Sequence, residues 1–284
     1  SIFTEIKDIS EAKTELLNFL SSKKKVFTLL SKWGTGKTHI IIKRLIRNFV
    51  LAYTLKHGKP PKILMVTESN GLNNKLLEDF TNFEIEFGHI ISFVSHLDAQ
   101  KDSTIDLSRC NNVICSIQSI GKSGDHYDLI IVDEYESVCS SYSASATFKG
   151  TTPNIAFNTL LNLIKKSEKV LICDADISED KVELLKMVIE ENDMVTLKNK
   201  QSAFTEMDIN IVIDKKHFTD LLINSVFEQN KKIAVASATR KYVEAVFDEI
   251  VKLYKEIETT PIKKIMRIDV NGIKVFHGAT EIPI

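Results

Sequence analysis

The sequence predicts an α/β fold with a largely parallel sheet, and three observations predict it. Short apolar runs of strand length alternate with helical patterns for most of the 284 residues, the order that builds a parallel sheet with crossover helices. One run, Val26 to Leu30, passes at once into the glycine-bearing turn "SKWGTGKT" and then into a helical pattern. A second, "YDLIIVDEYES", is an apolar strand that ends in an acidic pair.

Taken in order, a first helix is predicted over Ile9 to Leu20, followed by the solvated run "SSKKK" and the strand Val26 to Leu30. After the turn a helix runs from about Lys37 to Leu55 and stops at Gly58 and the pair Pro60, Pro61, residues that end helices. Further strands are predicted at Ile63 to Val66, Ile90 to Val94, Val113 to Ile117, Leu129 to Val132 and Val170 to Cys173. Helical patterns over Leu72 to Phe80 and Ile155 to Lys166 fill two of the gaps. A second unit begins near Asp208 with the strand "MDINIVID", the amphipathic helix "HFTDLLINSVFEQN", the strand "KKIAVASAT" and a helix over Arg240 to Ile257. "IMRIDV" and "IKVFHG" read as two more short strands. The expected division is residues 1–204 for the first domain and 205–284 for part of a second, in a chain cut from something longer.

Hydrophobic residues at 43% and charged residues at 26% are ordinary for a globular protein. The formal net charge of -1 excludes a global attractive field for nucleic acid, so any such contact requires a local basic groove. Cys110, Cys115, Cys139 and Cys173 form no C-x-x-C pair and have no histidine at metal-ligand spacing. They read as reduced thiols in an intracellular protein, in nucleus or cytoplasm. The run "HIII" is short and is followed by Lys43 and Arg44, so neither a signal peptide nor a membrane partner is expected.

The turn carries the chemistry. Backbone N–H groups from Gly34 to Thr38 would cradle a β-phosphate at the positive end of the following helix. Glycine at Gly34 and Gly36 lets the backbone approach closely, Lys37 would reach the β- and γ-phosphates, and the Thr38 hydroxyl would meet a magnesium ion. The ATP-binding set is thus Ser31, Lys32, Trp33, Gly34, Thr35, Gly36, Lys37 and Thr38. Trp33 is a candidate to stack on a base or on adenine, or packs on the surface.

At the end of the acidic strand, Asp133 would hold the magnesium and Glu134 would polarise the water that attacks the γ-phosphate. Lys37, Asp133 and Glu134 form the expected catalytic set. A nucleotide kinase would need an acceptor site and an arginine-rich lid, and the residues after Asp133 offer neither. A glutamate beside the magnesium aspartate marks hydrolysis by water, so the chain reads as an ATPase that spends the energy on motion. His39, one position into the helix, reads as a solvated or locally bonded side chain, and His96 and His126 have no partners at catalytic spacing.

Replacement of the first loop glycine by Ser31 in "SKWGTGKT" is similar to the first motif of superfamily 2 helicases, and "DEYE" resembles their second. "LICDADIS", Leu171 to Ser178, stands where those helicases carry the motif that couples hydrolysis to movement, here as Asp174, Ala175 and Asp176. The D-A-D form, with "VICSIQSIGK" ahead of the acidic strand, resembles the replication origin-binding helicases of herpesviruses and other large DNA viruses. That resemblance implies two RecA-like domains, ATP and magnesium in the cleft between them, single-stranded DNA across the top, and replication proteins as further partners. It runs from about Phe27 to Ser178, and more loosely to "KKIAVASATRKYVEAVFDEI". The family's later motifs, with their arginine finger, have no counterpart before Ile284.

For nucleic acid, the resemblance points to Thr67, Ser69 and Asn70 in "VTESNGLNNKLLEDF", to Gln118 and Ser119, and to Ser237 and Thr239. These side chains could donate to phosphates, although ordinary turn and cap chemistry uses the same residue types. The family's arginine is missing from the first of these segments. The residues leave open an RNA helicase, a duplex DNA translocase, and a nucleic-acid-binding module without ATPase activity of its own.

Overall fold

The computed structural model describes residues 3–32, 34–68, 76–80, 91–141, 148, 151–201 and 215–227, with short pieces at 245–246, 248–249, 252, 275–277 and 280–282. The chain divides into two compact units, Ser1–Thr205 and Glu206–Ile284.

The first unit is an eight-stranded, all-parallel sheet flanked by helices. Its strands are β1 (Thr4–Ile6), β2 (Val26–Leu30), β3 (Ile63–Thr67), β4 (Val94–Ser95), β5 (Asn112–Ser116), β6 (Leu129–Asp133), β7 (Lys169–Asp174) and β8 (Met194–Asn199). Their order across the sheet is β1-β8-β2-β7-β6-β3-β5-β4. Its helices include α1 (Ile9–Ser21), α2 (Lys43–His57), α3 (His96–Lys101), α4 (Tyr135–Ser140), α5 (Pro153–Lys166) and α6 (Glu179–Lys186), and residues 76–80 are helical as well.

The four central strands are buried along their whole length, as a parallel sheet covered on both faces requires. Alternate residues feed two separate cores. Phe27, Leu29, Ile63, Met65, Leu129, Ile131, Leu171 and Cys173 join Leu16 of α1 and Leu45 and Phe49 of α2 on one face. Val26, Leu30, Leu64, Val66, Ile130, Val132, Val170 and Ile172 join Val138 of α4, Leu160 of α5 and Val182 of α6 on the other.

The sequence reading missed two strands and shifted one. β8, "MVTLKN", mixes buried and open positions, and β1 has three residues, so neither shows the apolar run that marks the central strands. The strand predicted over Ile90 to Val94 is shorter and later, at Val94–Ser95. Ile91 and Phe93 are buried but enter the core by side-chain packing without joining the ladder. α4 and α6 are short helices that no predicted element covers. The helix predicted to start at Lys37 opens with a wide π turn over Lys37–Ile42, in which the Lys43 N–H reaches Thr38 O, before α2 begins. Such turns recur at functional sites. In the second unit, α7 (Lys215–Phe227) agrees with the predicted helix, and β9 (Val275–His277) pairs antiparallel with β10 (Thr280–Ile282). The strands expected at "MDINIVID" and "KKIAVASAT" lie outside the described residues. Among the described residues no helix is long and apolar enough to cross a membrane.

A buried lysine closes the end of α1. The last turn of α1 has no basic residue of its own, and Lys169 at the start of β7 substitutes from across the fold. Its ammonium donates to Phe19 O at 3.0 Å, Ser22 O at 2.8 Å and Lys24 O at 2.6 Å and lies 4.5 Å from the Phe19 ring centroid. Burial holds its pKa below the ordinary lysine value. Lys169→Met keeps the apolar stem and removes the donor shared by Ser22 O, Lys24 O and Phe19 O, of which Phe19 O retains the N–H and hydroxyl of Ser22, so chemical denaturation is expected to report a loss of about 1–3 kcal/mol.

Candidate active site

The parallel register brings three strand ends into one row. Leu29 of β2 and Asp133 of β6 both pair with Cys173 of β7, and Leu30 pairs with Asp174. The glycine turn, the acidic pair and the D-A-D segment therefore leave the sheet side by side, at the carboxyl edge where α/β folds bind ligands. The Cys173 thiol, fully buried beneath them, is pushed well above the usual range by burial and by the Asp133 carboxylate, with Lys37, Asp174 and Glu134 also within reach of its field.

In the turn, Gly34 and Gly36 hold φ of 76° and 88°, a left-handed conformation that side chains disfavour. A Cβ on Gly36 would also lie 2.8 Å from Ile40 Cδ1. Ser31 donates its N–H to Asp174 O at 2.8 Å, which anchors the start of the turn to β7. Its hydroxyl lies 2.7 Å from Thr35 Oγ1, and Thr35 donates to Lys32 O at 2.7 Å. The buried ammonium of Lys37 donates to Ser31 O, so it lies back along the turn. Lys32 and Gly34 are exposed, and Thr38 is half-buried at the start of the π turn. Trp33 lies outside the described residues.

Asp133 is buried and Glu134 half-buried. Glu134 has a φ of 55°, the one non-glycine positive φ among the described residues, and it is the residue from which α4 starts. The backbone reverses there so that the strand can end and a helix begin without an intervening loop.

Asp174 and Glu136 form a reciprocal clasp between the two acidic segments. Asp174 Oδ2 accepts from Glu136 N at 2.6 Å, while Oδ1 accepts from Ala175 N at 2.6 Å and Asp176 N at 3.1 Å. Glu136 Oε2 in turn accepts from Ser178 N at 3.0 Å and Ser178 Oγ at 2.8 Å. Asp176 is exposed. Asp174 thus organises backbone, and a shift of one segment carries the other with it. Glu136 and Ser178 lie inside the quoted motifs but were assigned no role, because spacing alone does not tell which carboxylate of "DEYE" faces its neighbour.

The residues picked for nucleic acid divide. Thr67 ends β3 and pairs with Ser116 of β5, and the half-buried Gln118 and Ser119 follow on a 3₁₀ turn over Ile117–Lys122. They share the carboxyl edge with the glycine turn, on the β3–β5 side. Thr67 is fully buried, which leaves its hydroxyl no open face. Ser69, Asn70, Ser237 and Thr239 lie outside the described residues. His126 lies 3.2 Å from Asp128 Oδ1 just ahead of β6, at the far end of the strand from Asp133. His96 is buried at the start of α3.

Cys110, Cys115, Cys139 and Cys173 are free, and the last three are buried. Among the described residues no group of three His, Cys, Asp or Glu side chains could hold a metal ion. A magnesium ion carried by a nucleotide does not require one, since it is held by one or two protein oxygens together with phosphates.

The model of the family described as "Type III restriction enzyme, res subunit" matches residues 7–155, just over half of the chain. A protein of Acanthamoeba polyphaga mimivirus named "Uncharacterized putative helicase R8" is 29% identical over 179 residues, which cover 58% of this chain and 15% of that protein. Among solved structures, the DEAD-box helicase Mss116 bound to single-stranded RNA and UDP-BeF aligns with a TM-score of 0.58 at 14% identity, covering 81% of this chain and 56% of that one. Dbp5 of S. cerevisiae, bound to Gle1 and IP6, aligns with a TM-score of 0.57 at 15% identity, covering 87% and 60%. The helicase MrfA aligns with a TM-score of 0.54 at 12% identity, covering 89% and 41%. The fold is that of RecA-like helicase domains. The chain spans a small part of the mimivirus relative's length and about half of the solved helicases.

The left-handed Glu134 yields a prediction that separates stability from chemistry. Relief of a non-glycine αL residue is worth about 1 kcal/mol. Glu134→Gly is expected to raise the unfolding free energy by about that amount in a denaturant titration, while removing the carboxylate from the site.

Proposed function

We propose that this chain, which belongs to the family of the type III restriction enzyme res subunit, carries the ATP-hydrolysing motor of a superfamily 2 nucleic-acid helicase or translocase. The observation that carries this reading is the single row formed by β2, β7 and β6, from which a glycine turn with a buried lysine and an aspartate-glutamate pair emerge at one edge on either side of β7. A phosphate cradle and a hydrolytic acid pair at one edge of a sheet, on strands separated by a single neighbour, are what water attack on a γ-phosphate needs.

The turn fits a polyphosphate. Its two left-handed glycines carry no side chain over their backbone N–H groups, and a side chain on Gly36 would be strained at its φ of 88° and would press on Ile40. Lys37 is parked on a carbonyl of the turn, an interaction it can exchange for a phosphate oxygen of far higher negative charge. Thr38 and Asp133 are the residues that would hold magnesium, whose charge offsets that building on the phosphates during transfer. Glu134 would take the proton of the attacking water. Asp174, through its bonds to Glu136 N, Ala175 N and Asp176 N, would pass a change at the acidic pair to the D-A-D segment.

Single-stranded DNA is the proposed track, bound along the carboxyl edge beside Gln118 and Ser119, with Ser69, Asn70, Ser237 and Thr239 as further contacts. A replication origin-binding type of helicase is the finer reading, and it rests on the D-A-D form and on "VICSIQSIGK". The likeness to Mss116, solved with single-stranded RNA and UDP-BeF, makes RNA the second reading. Residues 1–204 would form the first motor domain and 205–284 part of the second.

Steady-state ATPase assays with magnesium, alone and with single-stranded DNA, single-stranded RNA or duplex DNA, test the proposal. Turnover is expected, raised most by single-stranded DNA. Lys37→Ala is expected to lose nucleotide affinity. Glu134→Gln is expected to keep it while lowering turnover about 10²–10⁴-fold. Stimulation by RNA alone would move the assignment to an RNA helicase, and retained turnover in both variants would remove these residues from the site.

A further inference from the structure

We infer that Asn199, at the carboxyl end of β8, is a positioning residue for the phosphate-binding turn, acting through the hydroxyl of Ser31. The inference rests on the proposed nucleotide site and adds to it a residue that neither the motifs nor the family match covers. β8 lies beside β2, and the last pair of their ladder is Leu30 with Lys198. Asn199, one residue on, therefore stands beside Ser31.

Proton accounting fixes the direction of the contact. Gln201 donates its N–H to Asn199 Oδ1 at 2.9 Å, so the other end of the amide, Nδ2, faces Ser31 and donates to its Oγ at 2.9 Å. The Thr35 hydroxyl proton goes to Lys32 O. The 2.7 Å contact between Ser31 Oγ and Thr35 Oγ1 must then use the Ser31 proton. The result is one unidirectional relay, Asn199 N–H to Ser31 O–H to Thr35 O–H to Lys32 C=O, in which each hydroxyl donates once and accepts once.

Asn199, Ser31 and Thr35 are all buried, so water does not compete and each bond polarises the next. The relay spans the turn from its first residue to its fifth and holds it open before any phosphate arrives, which lowers the ordering cost of binding.

The anchor of the relay is itself fixed. Lys200 N donates to Ile6 O at 3.0 Å and the Gln201 side chain accepts from Ile9 N at 3.3 Å. The segment 199–201, the last described residues of the first unit, is thereby tied to β1 and α1. A serine at position 31 is what makes the arrangement possible, since glycine or alanine offers no hydroxyl to relay.

The relay is testable with Asn199→Ala, Asn199→Asp, Ser31→Ala and the double variant Asn199→Ala with Ser31→Ala. Two readouts are used: amide hydrogen exchange of residues 34–38 without nucleotide, and the Kd of a fluorescent ATP analogue with magnesium. Loss of the relay is expected to speed exchange in the turn, and to weaken nucleotide binding, by about tenfold each, the weight of one buried hydrogen bond. The double variant is expected to match either single one, since a chain breaks once. Asn199→Asp keeps the shape but cannot donate while ionised. It is expected to behave like Asn199→Ala at neutral pH and to recover as its carboxyl protonates in acid.

Unchanged exchange in all variants overturns the relay. So do additive losses in the double variant, and so does faster exchange with an unchanged Kd. If the unsubstituted protein shows no nucleotide binding, the proposed site fails, while the exchange arm still judges whether Asn199 holds the turn.

Discussion

Parallel pairing of β2, β7 and β6 is the constraint from which the rest follows. Parallel strands bury both faces, so each must be apolar throughout, and the polar residues that close them collect at the ends. They also point the same way, so three unrelated segments, a glycine turn, an acidic pair and a D-A-D stretch, leave the sheet at one edge. Register then aligns Leu29, Cys173 and Asp133 across neighbouring strands, which stand about 4.8 Å apart. No long-range electrostatics is needed to gather the site; the ladder gathers it.

An edge built this way has a cost, because charged and polar groups at the strand ends are only partly wet. Asp133, Lys37 and Asp174 are all buried, and each unpaired group of this kind would cost several kcal/mol. The edge meets that cost with backbone. Asp174 accepts three N–H groups, and Lys37 takes a carbonyl of its own turn. The contrast with Lys169 is informative. That lysine, buried at the opposite edge, donates to three carbonyls at the end of α1, whereas Lys37 donates to a single carbonyl, Ser31 O, within its own turn.

How far the sequence alone could reach follows from which forces act locally. The central strands were legible because burial on both faces writes an unbroken apolar run, and the turn was legible because left-handed backbone demands glycine at Gly34 and Gly36. β1 and β8 were not legible, since a strand next to an edge is chosen by its neighbour's ladder and needs no apolar run of its own. The π turn over Lys37–Ile42 also leaves no signature, as its sequence "KTHIII" has the same apolar content as an ordinary helix start. Among the candidate site residues, Lys37, Asp133 and Glu134 are singled out in the sequence by type and position. The contacts of Asp174, Glu136 and Ser178 depend on which donors the two carboxylates meet, Ser178 being one of them, and that is a property of β6 lying beside β7. Asn199 lies in a stretch, "LKNKQ", that reads as a polar linker, and only the β8–β2 register brings it to the loop.

The serine at position 31 shows why a departure from a motif can carry more information than agreement with it. In the general loop pattern the first position is glycine because nothing larger is tolerated where the strand turns away. Here that position is filled by a side chain whose hydroxyl has both a donor and an acceptor partner, from Asn199 and to Thr35. A buried hydroxyl without partners would cost about 1–3 kcal/mol, and at Ser31 β8 offsets that cost with the amide and the loop with Thr35. The three residues are therefore interdependent: each is acceptable in its buried position because of the other two, and the shape of the turn becomes a property of the sheet edge instead of the loop alone.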